Sequence, residues 1–283
     1  MRISLIIPTL NAGPRIEQLL SRLAAQDKKP LETIIVDSSS DDNTVEIAKG
    51  FGARTIVIPR RSFNHGKARN MAAAEAEGDV LVFMTQDALP YDNSLLGNLT
   101  APLKSGVSEA AYGRHIPGPD ASPPEIFARR FNYPESPLTK SMDDLPRYGI
   151  KTFFFSNVCS AVKRDAFLKV GMFPEDLRTN EDMLLAAKLL LSGHKVAYVP
   201  GAAVIHSHAC SLFRLFARYY NIGSSLRRNK WILKYARSEG EGLRFIKEEF
   251  SFLLQRQQYF WIPYIFLEAL MKYAGYRTGL IAG

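Results

Sequence analysis

The first ninety residues carry four short apolar runs, at 3–7, 33–36, 55–58 and 80–84, each of strand length and each giving way to polar residues. Between the first two, Pro14 opens a stretch in which Ile16, Leu19, Leu20 and Leu23 recur on one helical face. After the second comes Asp37-Ser38-Ser39-Ser40-Asp41-Asp42-Asn43, rich in helix-capping side chains, and then a short helix over 44–49. Strand and helix in alternation predict βαβ units and an α/β fold with a mostly parallel sheet. In such sheets ligands bind beyond the carboxyl ends of the strands, so the loops after residues 7, 36 and 84 become neighbours at one edge.

The run at 80–84, bounded by Gly78 and Pro90, breaks off into Thr85-Gln86-Asp87 and so delivers a carboxylate to that edge. Asp87 can hold a metal or a ribose there, or it can cap the helix that follows. His65-Gly66-Lys67-Ala68-Arg69-Asn70 precedes a helix of small residues. That suits a diphosphate held by helix N–H groups and two cations, and equally a solvated basic turn; the glycine and Lys-Ser/Thr pattern of a P-loop is missing. From 115 to 148 the chain turns Pro-rich and polar, too long for a structureless loop, and reads as a mobile functional segment beside the site with a short helix near 125–131. A strand over 153–162 and a helix over 164–170 follow. Asn180-Glu181-Asp182 then opens a helix over 183–192, and a strand over 195–199 precedes Ala203-Val204-Ile205-His206-Ser207-His208.

Beyond residue 208 the character changes. Residues 209–240 hold seven Lys/Arg against one acid, interleaved with Phe213, Phe216, Tyr219, Tyr220 and Trp231. On helices this suits the surface of an anionic membrane, or a core-packing face with a solvated basic back. The apolar stretch at 259–271 is interrupted by Pro263 and Glu268 and is shorter than the roughly 20 residues of a span, so no transmembrane helix is expected.

At 283 residues and 46% hydrophobic content the chain can bury a full core. A net charge of +8 and a pI near 9.4 favour an anionic partner without choosing among nucleotide, phospholipid and nucleic acid. Cys159 and Cys210 have neither metal-ligand spacing nor the number for a disulfide framework, which points to a reducing compartment. The N-terminal apolar run lacks the length and cleavage site of a signal peptide, so a cytoplasmic protein is expected.

Taken in this order and at these separations, Pro8-Thr9-Leu10-Asn11, Asp37-Ser38-Ser39-Ser40-Asp41-Asp42, Thr85-Gln86-Asp87 and Asn180-Glu181-Asp182 resemble the motifs of family-2 inverting glycosyltransferases of GT-A fold. Phe63-Asn64-His65-Gly66-Lys67-Ala68-Arg69-Asn70 and Thr85-Gln86-Asp87-Ala88-Leu89-Pro90 look like the rhamnosyltransferase branch, which uses dTDP-L-rhamnose. The resemblance implies a Rossmann-like GT-A catalytic domain over 1–208 and a helical extension over 209–283. It implies that Thr9 and Asn11 line the nucleotide pocket with Gln86 beside them, that Asp37 hydrogen-bonds the pyrimidine base, and that Arg69 and Lys67 approach the ribose and diphosphate. The family's Asp-x-Asp metal motif falls on Thr85-Gln86-Asp87, where Thr85 replaces the first acid. Asp87 and His206 are the implied ligands of a divalent cation, Mn²⁺ or Mg²⁺, and His208 reads as a structural histidine.

The same resemblance implies Asp182 as general base, with Glu181 orienting the acceptor or standing in as base. Both residues sit at a helix start, where the dipole favours an ionised carboxylate and where simple capping would also place them. The expected activity is transfer of L-rhamnose from a nucleotide-sugar donor to a glycan or lipid-linked glycan acceptor in cell-surface polysaccharide synthesis. The enzyme would work peripherally at the inner face of the cell membrane, with a homodimer left open. A UDP-hexose or UDP-N-acetylhexosamine donor on the same fold, and a catalytically inactive nucleotide-sugar-binding protein, are the competing expectations. No nucleic-acid motif is present, and no G-x-G-x-x-G follows the first strand, which argues against a nucleic-acid binder and a dinucleotide oxidoreductase. All of this requires Asp87 and Asp182, 95 positions apart, to converge on one cleft.

Overall fold

The computed structural model describes residues 1–207, 211–235 and 241–283. Its strands are β1 (Ile3–Thr9), β2 (Glu32–Asp37), β3 (Arg54–Val57), β4 (Val80–Met84), β5 (Leu89–Pro90), β6 (Ala110–Ile116), β7 (Leu138–Lys140), β8 (Cys159–Lys163) and β9 (Val196–Ile205). They form one sheet in the order β3-β2-β1-β4-β8-β6-β9-β5, with β7 also on β9. The βαβ half is parallel as expected, β1 pairing with β2 and β4, and β2 with β3. Beyond β4 the directions alternate: β8 runs antiparallel to β4 and β6, β9 parallel to β6, and β5 and β7 antiparallel to β9.

The apolar runs are continuous because helices cover both faces. Ile3, Leu5 and Ile7 with Val80, Val82 and Met84 face the helices Gly13–Ala24 and Leu95–Lys104 through Ile16, Leu19, Leu23, Leu95 and Leu99. Ile6, Leu81 and Phe83 face the alanines of the helix His65–Glu75 and the leucines of the helix Glu181–Leu191. Every loop at the carboxyl ends of β1, β2 and β4 therefore emerges at one edge.

Two segments differ from the sequence-based expectation. The Pro-rich stretch is ordered, with the helix Pro123–Asn132 and strand β7 in it, and buries Phe127 and Tyr133. The strand expected over 153–162 begins only at Cys159. Phe153 ends a 3₁₀ turn (Gly149–Phe153) and Phe153 and Phe155 are both buried in the core, so two same-parity side chains are satisfied without a ladder.

The expected boundary at 208/209 lies outside the described residues. Beyond it, the helices Leu212–Arg228 and Ile262–Ala282 cross at backbone contact, since a Cβ added at Gly223, Gly275 or Gly279 would collide with the carbonyls of Tyr276, Phe216 and Tyr220. Leu226, Ile232, Trp231, Tyr276 and Leu280 pack onto the main core. The helix Glu241–Gln255 stacks Phe245 and Phe252 against Phe127, with ring centroids 5.1 and 5.4 Å apart. No helix of the described residues is long and apolar enough to cross a membrane.

Gly279→Leu is expected to force these helices apart and to lower stability by about 1–3 kcal/mol, the usual cost of overpacking. Gly242→Ala, at a helical position with open space around it, is expected to be neutral or stabilising. Urea midpoints of the two variants check the contrast.

Candidate active site

At the predicted edge lies a cleft of ≈ 360 Å³ lined by Pro8, Thr9 and Leu10 after β1, Ser38 after β2, and Thr85, Gln86 and Asp87 after β4. Arg60, Phe63, His65, Arg69 and His206 complete its wall. A depression of similar volume, ≈ 370 Å³, sits at the other end of the strands and is walled by surface ion pairs such as Arg2–Asp79 and Lys163–Glu109.

The floor of the cleft is stitched by its own side chains. Asp37 is fully buried; Oδ1 accepts from Thr9 Oγ1 at 2.8 Å and from Ser40 Oγ at 2.6 Å, and Oδ2 from Ser40 N at 2.8 Å. Asn11, at φ 48°, receives Asp41 N on its Oδ1 at 2.9 Å and donates its own N–H to Ser40 Oγ at 2.8 Å. Gln86 makes two bonds to the Leu10 backbone, accepting from N at 2.8 Å and donating to O at 3.2 Å. Among the described residues, the hydroxyls of Ser38 and Thr85 are buried without a partner on residues that line the cleft. Buried hydroxyls are ordinarily paired with protein or ordered water, so these two are free to take such a partner at the cleft.

The stretch from Phe63 to Asn70 clamps the segment that leads to Glu181. Asn64 Nδ2 donates to Leu177 O at 2.6 Å, and Asn70 exchanges bonds with Phe173 through its Nδ2 (2.9 Å) and Oδ1 (3.1 Å). Gly66 passes so close to Pro174 O that any Cβ would collide. Arg69 Nη1 meets Glu181 Oε1 at 2.8 Å, the two side chains 2% and 9% exposed. Lys67 is exposed and does not line the cleft.

This clamp separates the two acids that the sequence left interchangeable. Glu181 is spent on Arg69. Asp182, in the first turn of the same helix, accepts from Met183 N at 2.8 Å and from Asn157 N at 3.4 Å. Part of its surface reaches solvent, yet its carboxyl is densely surrounded, and burial, then the Glu181 charge, push its pKa up to about 7. The helix-dipole argument for a readily ionised carboxylate is therefore overruled: desolvation outweighs it. Asp87 and Asp182 approach the same end of the sheet, since Thr85 N bonds Val158 O at 3.3 Å and the adjacent Asn157 holds Asp182.

Beside Asp87 is a cluster of which sequence reasoning singled out only His206. His206 Nε2 lies 3.5 Å from Asp87 Oδ1. Arg129 reaches His206 Nδ1 at 3.3 Å and His115 Nδ1 at 3.4 Å. His115 stacks on Tyr133 at 3.9 Å and meets Ser156 Oγ at 3.3 Å through Nε2. Burial first, then the neighbouring His206 and Arg129, hold His115 well below the usual imidazole range, so it is neutral. The only sequence signal for Arg129 and Tyr133 was their place in an over-long polar segment. His208 lies outside the described residues.

A divalent cation fits this edge in a limited sense. Asp87 offers a carboxylate with His206 beside it, and no third His, Cys, Asp or Glu joins them among the described residues. Such a cation would take most of its oxygens from a bound diphosphate and water, as Mg²⁺ does at phosphate sites.

Residues 4–171 match the family model described as glycosyl transferase family 2. The chain belongs to that family. It is accordingly a glycosyltransferase. It is 39% identical over 282 residues to the O-antigen chain rhamnosyltransferase RfbN of Salmonella typhimurium, covering 99% of this chain and 90% of that protein. Its identity to WbaN of Salmonella anatum, also an O-antigen chain rhamnosyltransferase, is 40% over 279 residues, 98% and 88% of the two chains. Among solved structures, the mannosyltransferase PcManGT of Pyrobaculum calidifontis, in complex with GDP-Man and Mn²⁺, superposes with a TM-score of 0.67 at 19% identity, over 99% of this chain and 87% of that one. TarS of S. aureus, residues 1–349, gives 0.63 at 18%, over 99% and 90%. The expected GT-A fold and the likeness to the rhamnosyltransferase branch are both borne out.

With Asp182 as the expected general base, active only when ionised, the acidic limb of kcat/KM is expected near pH 7 rather than near ~4, the ordinary carboxylate value. The raised pKa also means that the folded state binds this proton more tightly than the unfolded chain, so stability falls as pH rises from about 4 to about 7. Asp182→Asn is expected to match the wild type in thermal stability at pH 4 and to exceed it at pH 8. Melting curves at the two pH values measure this, and an equal difference at both would contradict it.

Proposed function

We propose that the enzyme transfers L-rhamnose from dTDP-L-rhamnose to a glycan acceptor, a lipid-linked one in cell-surface polysaccharide synthesis, with inversion at the anomeric carbon. The observation that carries the donor is the ~40% identity to two O-antigen rhamnosyltransferases over nearly the whole chain. What supports the chemistry is the separation of roles at one sheet edge, with Asp87 in the wall of the cleft and Asp182, its carboxyl held above the usual range, on the neighbouring segment that Asn157 joins to β4.

In this reading the nucleotide lies over β1 and β2, where the Ser38 hydroxyl is buried and unpartnered and can bond the pyrimidine edge. Asp37 then serves the base indirectly, by fixing the Thr9 and Ser40 loops, and Asn11 and Gln86 hold the same loops together. The diphosphate faces Asp87, Thr85 and Arg69. A divalent cation held at Asp87, when bound, supplies charge neutralisation for the departing diphosphate. Asp182 accepts the acceptor's hydroxyl proton as the new O–C bond forms and the bond from C1 to the phosphate oxygen breaks, releasing dTDP. Glu181, neutralised by Arg69, keeps the backbone at Asp182 in place. Residues 1–208 form the catalytic unit and 209–283 an extension.

We assign the extension to the surface of an anionic bilayer. Residues 209–283 hold twelve Lys/Arg against five Asp/Glu, seven of the chain's eight net positive charges. They also expose Phe260 (88%), Phe213 (76%) and Leu270 (60%). Exposed aromatic and aliphatic side chains in a basic segment match the interface and headgroups of an anionic membrane.

Two experiments test these readings. In a donor panel, dTDP-L-rhamnose is expected to give transfer and protect against unfolding, whereas UDP-glucose and UDP-N-acetylglucosamine are not. Asp182→Asn should retain donor binding and lose transfer; a UDP-sugar preference would overturn the donor, and full activity in Asp182→Asn the chemistry. In flotation with vesicles, binding to phosphatidylglycerol-containing membranes is expected to exceed binding to phosphatidylcholine alone, and Phe260→Asp/Leu270→Asp to abolish it. Equal flotation of variant and wild type, or a dimer in sedimentation that the double variant dissolves, would instead assign the face elsewhere.

A further inference from the structure

Arg129 stands between two imidazoles, its Nη1 at 3.4 Å from His115 Nδ1 and its Nη2 at 3.3 Å from His206 Nδ1. A guanidinium only donates and does not lose its proton in proteins. Both Nδ1 atoms must therefore present lone pairs, and each neutral ring carries its hydrogen on Nε2. The two Nε2 atoms reach different partners: that of His206, in the cleft wall, lies 3.5 Å from Asp87 Oδ1, and that of the buried His115 lies 3.3 Å from Ser156 Oγ behind it. Ser156 immediately precedes Asn157, whose N–H holds Asp182.

We propose that Arg129 is a positioning residue whose planar fork fixes the hydrogens of His115 and His206 together, and so ties the donor side of the cleft at Asp87 to the acceptor side at Asp182. The Nε2–H of His206 then points its positive end toward Asp87 Oδ1 across 3.5 Å, an electrostatic contact rather than a hydrogen bond. For Nε2 to ligate a cation instead, its hydrogen would have to move to Nδ1, against the Arg129 N–H.

The fork is itself well seated. Arg129 lies on the helix Pro123–Asn132, one turn after Glu125, whose Oε1 is 3.7 Å from Nη2. The other face of that helix is held by Phe127 against Phe245 and Phe252 of the extension. Lysine cannot replace this geometry, because an ammonium is a point charge without two coplanar N–H groups at fixed separation.

This inference rests on reading the cleft as the glycosyl-transfer site, so the decisive measurement is made without donor or acceptor. Nitrogen-15 imidazole spectra of the full-length protein are expected to show His115 and His206 as Nε2–H tautomers, assigned with His115→Asn and His206→Asn. In Arg129→Gln at least one of the two is expected to lose that tautomer. A hydrogen on Nδ1 of either ring in the wild type would overturn the proposal, whatever the sugar proves to be. In kinetics, Arg129→Lys is expected to lower kcat about 10–100-fold, the range for removal of a partner that orients a ligating group, while donor affinity stays close to wild type. His115→Asn and His206→Asn should combine to less than the product of their separate effects in the wild type and to the full product in Arg129→Gln. Independent effects in both backgrounds would show that the two rings are not coupled through Arg129.

Discussion

The buried ion pair between Arg69 and Glu181 is the constraint on which the site depends. Two charges at 2.8 Å, almost without solvent, are stable only as a pair; removal of either leaves the other uncompensated, at about 3–5 kcal/mol. That dependence fixes the first turn of the helix Glu181–Leu191 against the helix His65–Glu75, and with it the position of Asp182. It also sets the chemistry of Asp182, since the Glu181 charge one residue away adds to burial in holding its carboxyl above the usual range. One ion pair thus anchors the candidate base, its Glu181 member raising the affinity of Asp182 for a proton and its Arg69 member partly offsetting this.

Much of the fold was legible because the N-terminal strands are buried on both faces and so appear as unbroken apolar runs. The clustering of the loops after β1, β2 and β4 followed from parallel topology alone. The individual roles were harder to read, because they depend on partners a hundred residues away. Phe63 to Asn70 looks like a phosphate-binding helix start from its glycine and cations, yet Asn64, Gly66, Arg69 and Asn70 each meet the segment 173–181. Residues 153–158 looked like strand because four of them are apolar or aromatic. Their burial is achieved by a 3₁₀ turn and an irregular stretch that presents Asn157 N to Asp182. Local sequence carries a residue's chemistry; which neighbour consumes that chemistry is a tertiary fact.

The reduced metal motif has the same character. Thr85 in place of an acid leaves Asp87 as the carboxylate at the end of β4, and the structure surrounds that position with imidazoles and Arg129 rather than further acids. Beside Asp87 the fixed positive charge is that of Arg129, supplied through the protein frame. The segment that provides it was legible as a functional stretch with a short helix, though not residue by residue, and that helix is braced by aromatic contact with the extension.

The contacts of the clamp span very long stretches of chain, with Asn64 bonded to Leu177, Asn70 to Phe173 and Arg69 to Glu181. Closing loops of that length is entropically uphill until the core around them forms. The leucines of the helix Glu181–Leu191 complete one face of the βαβ half, so the segment that finishes this core is the same one that carries Asp182 into place.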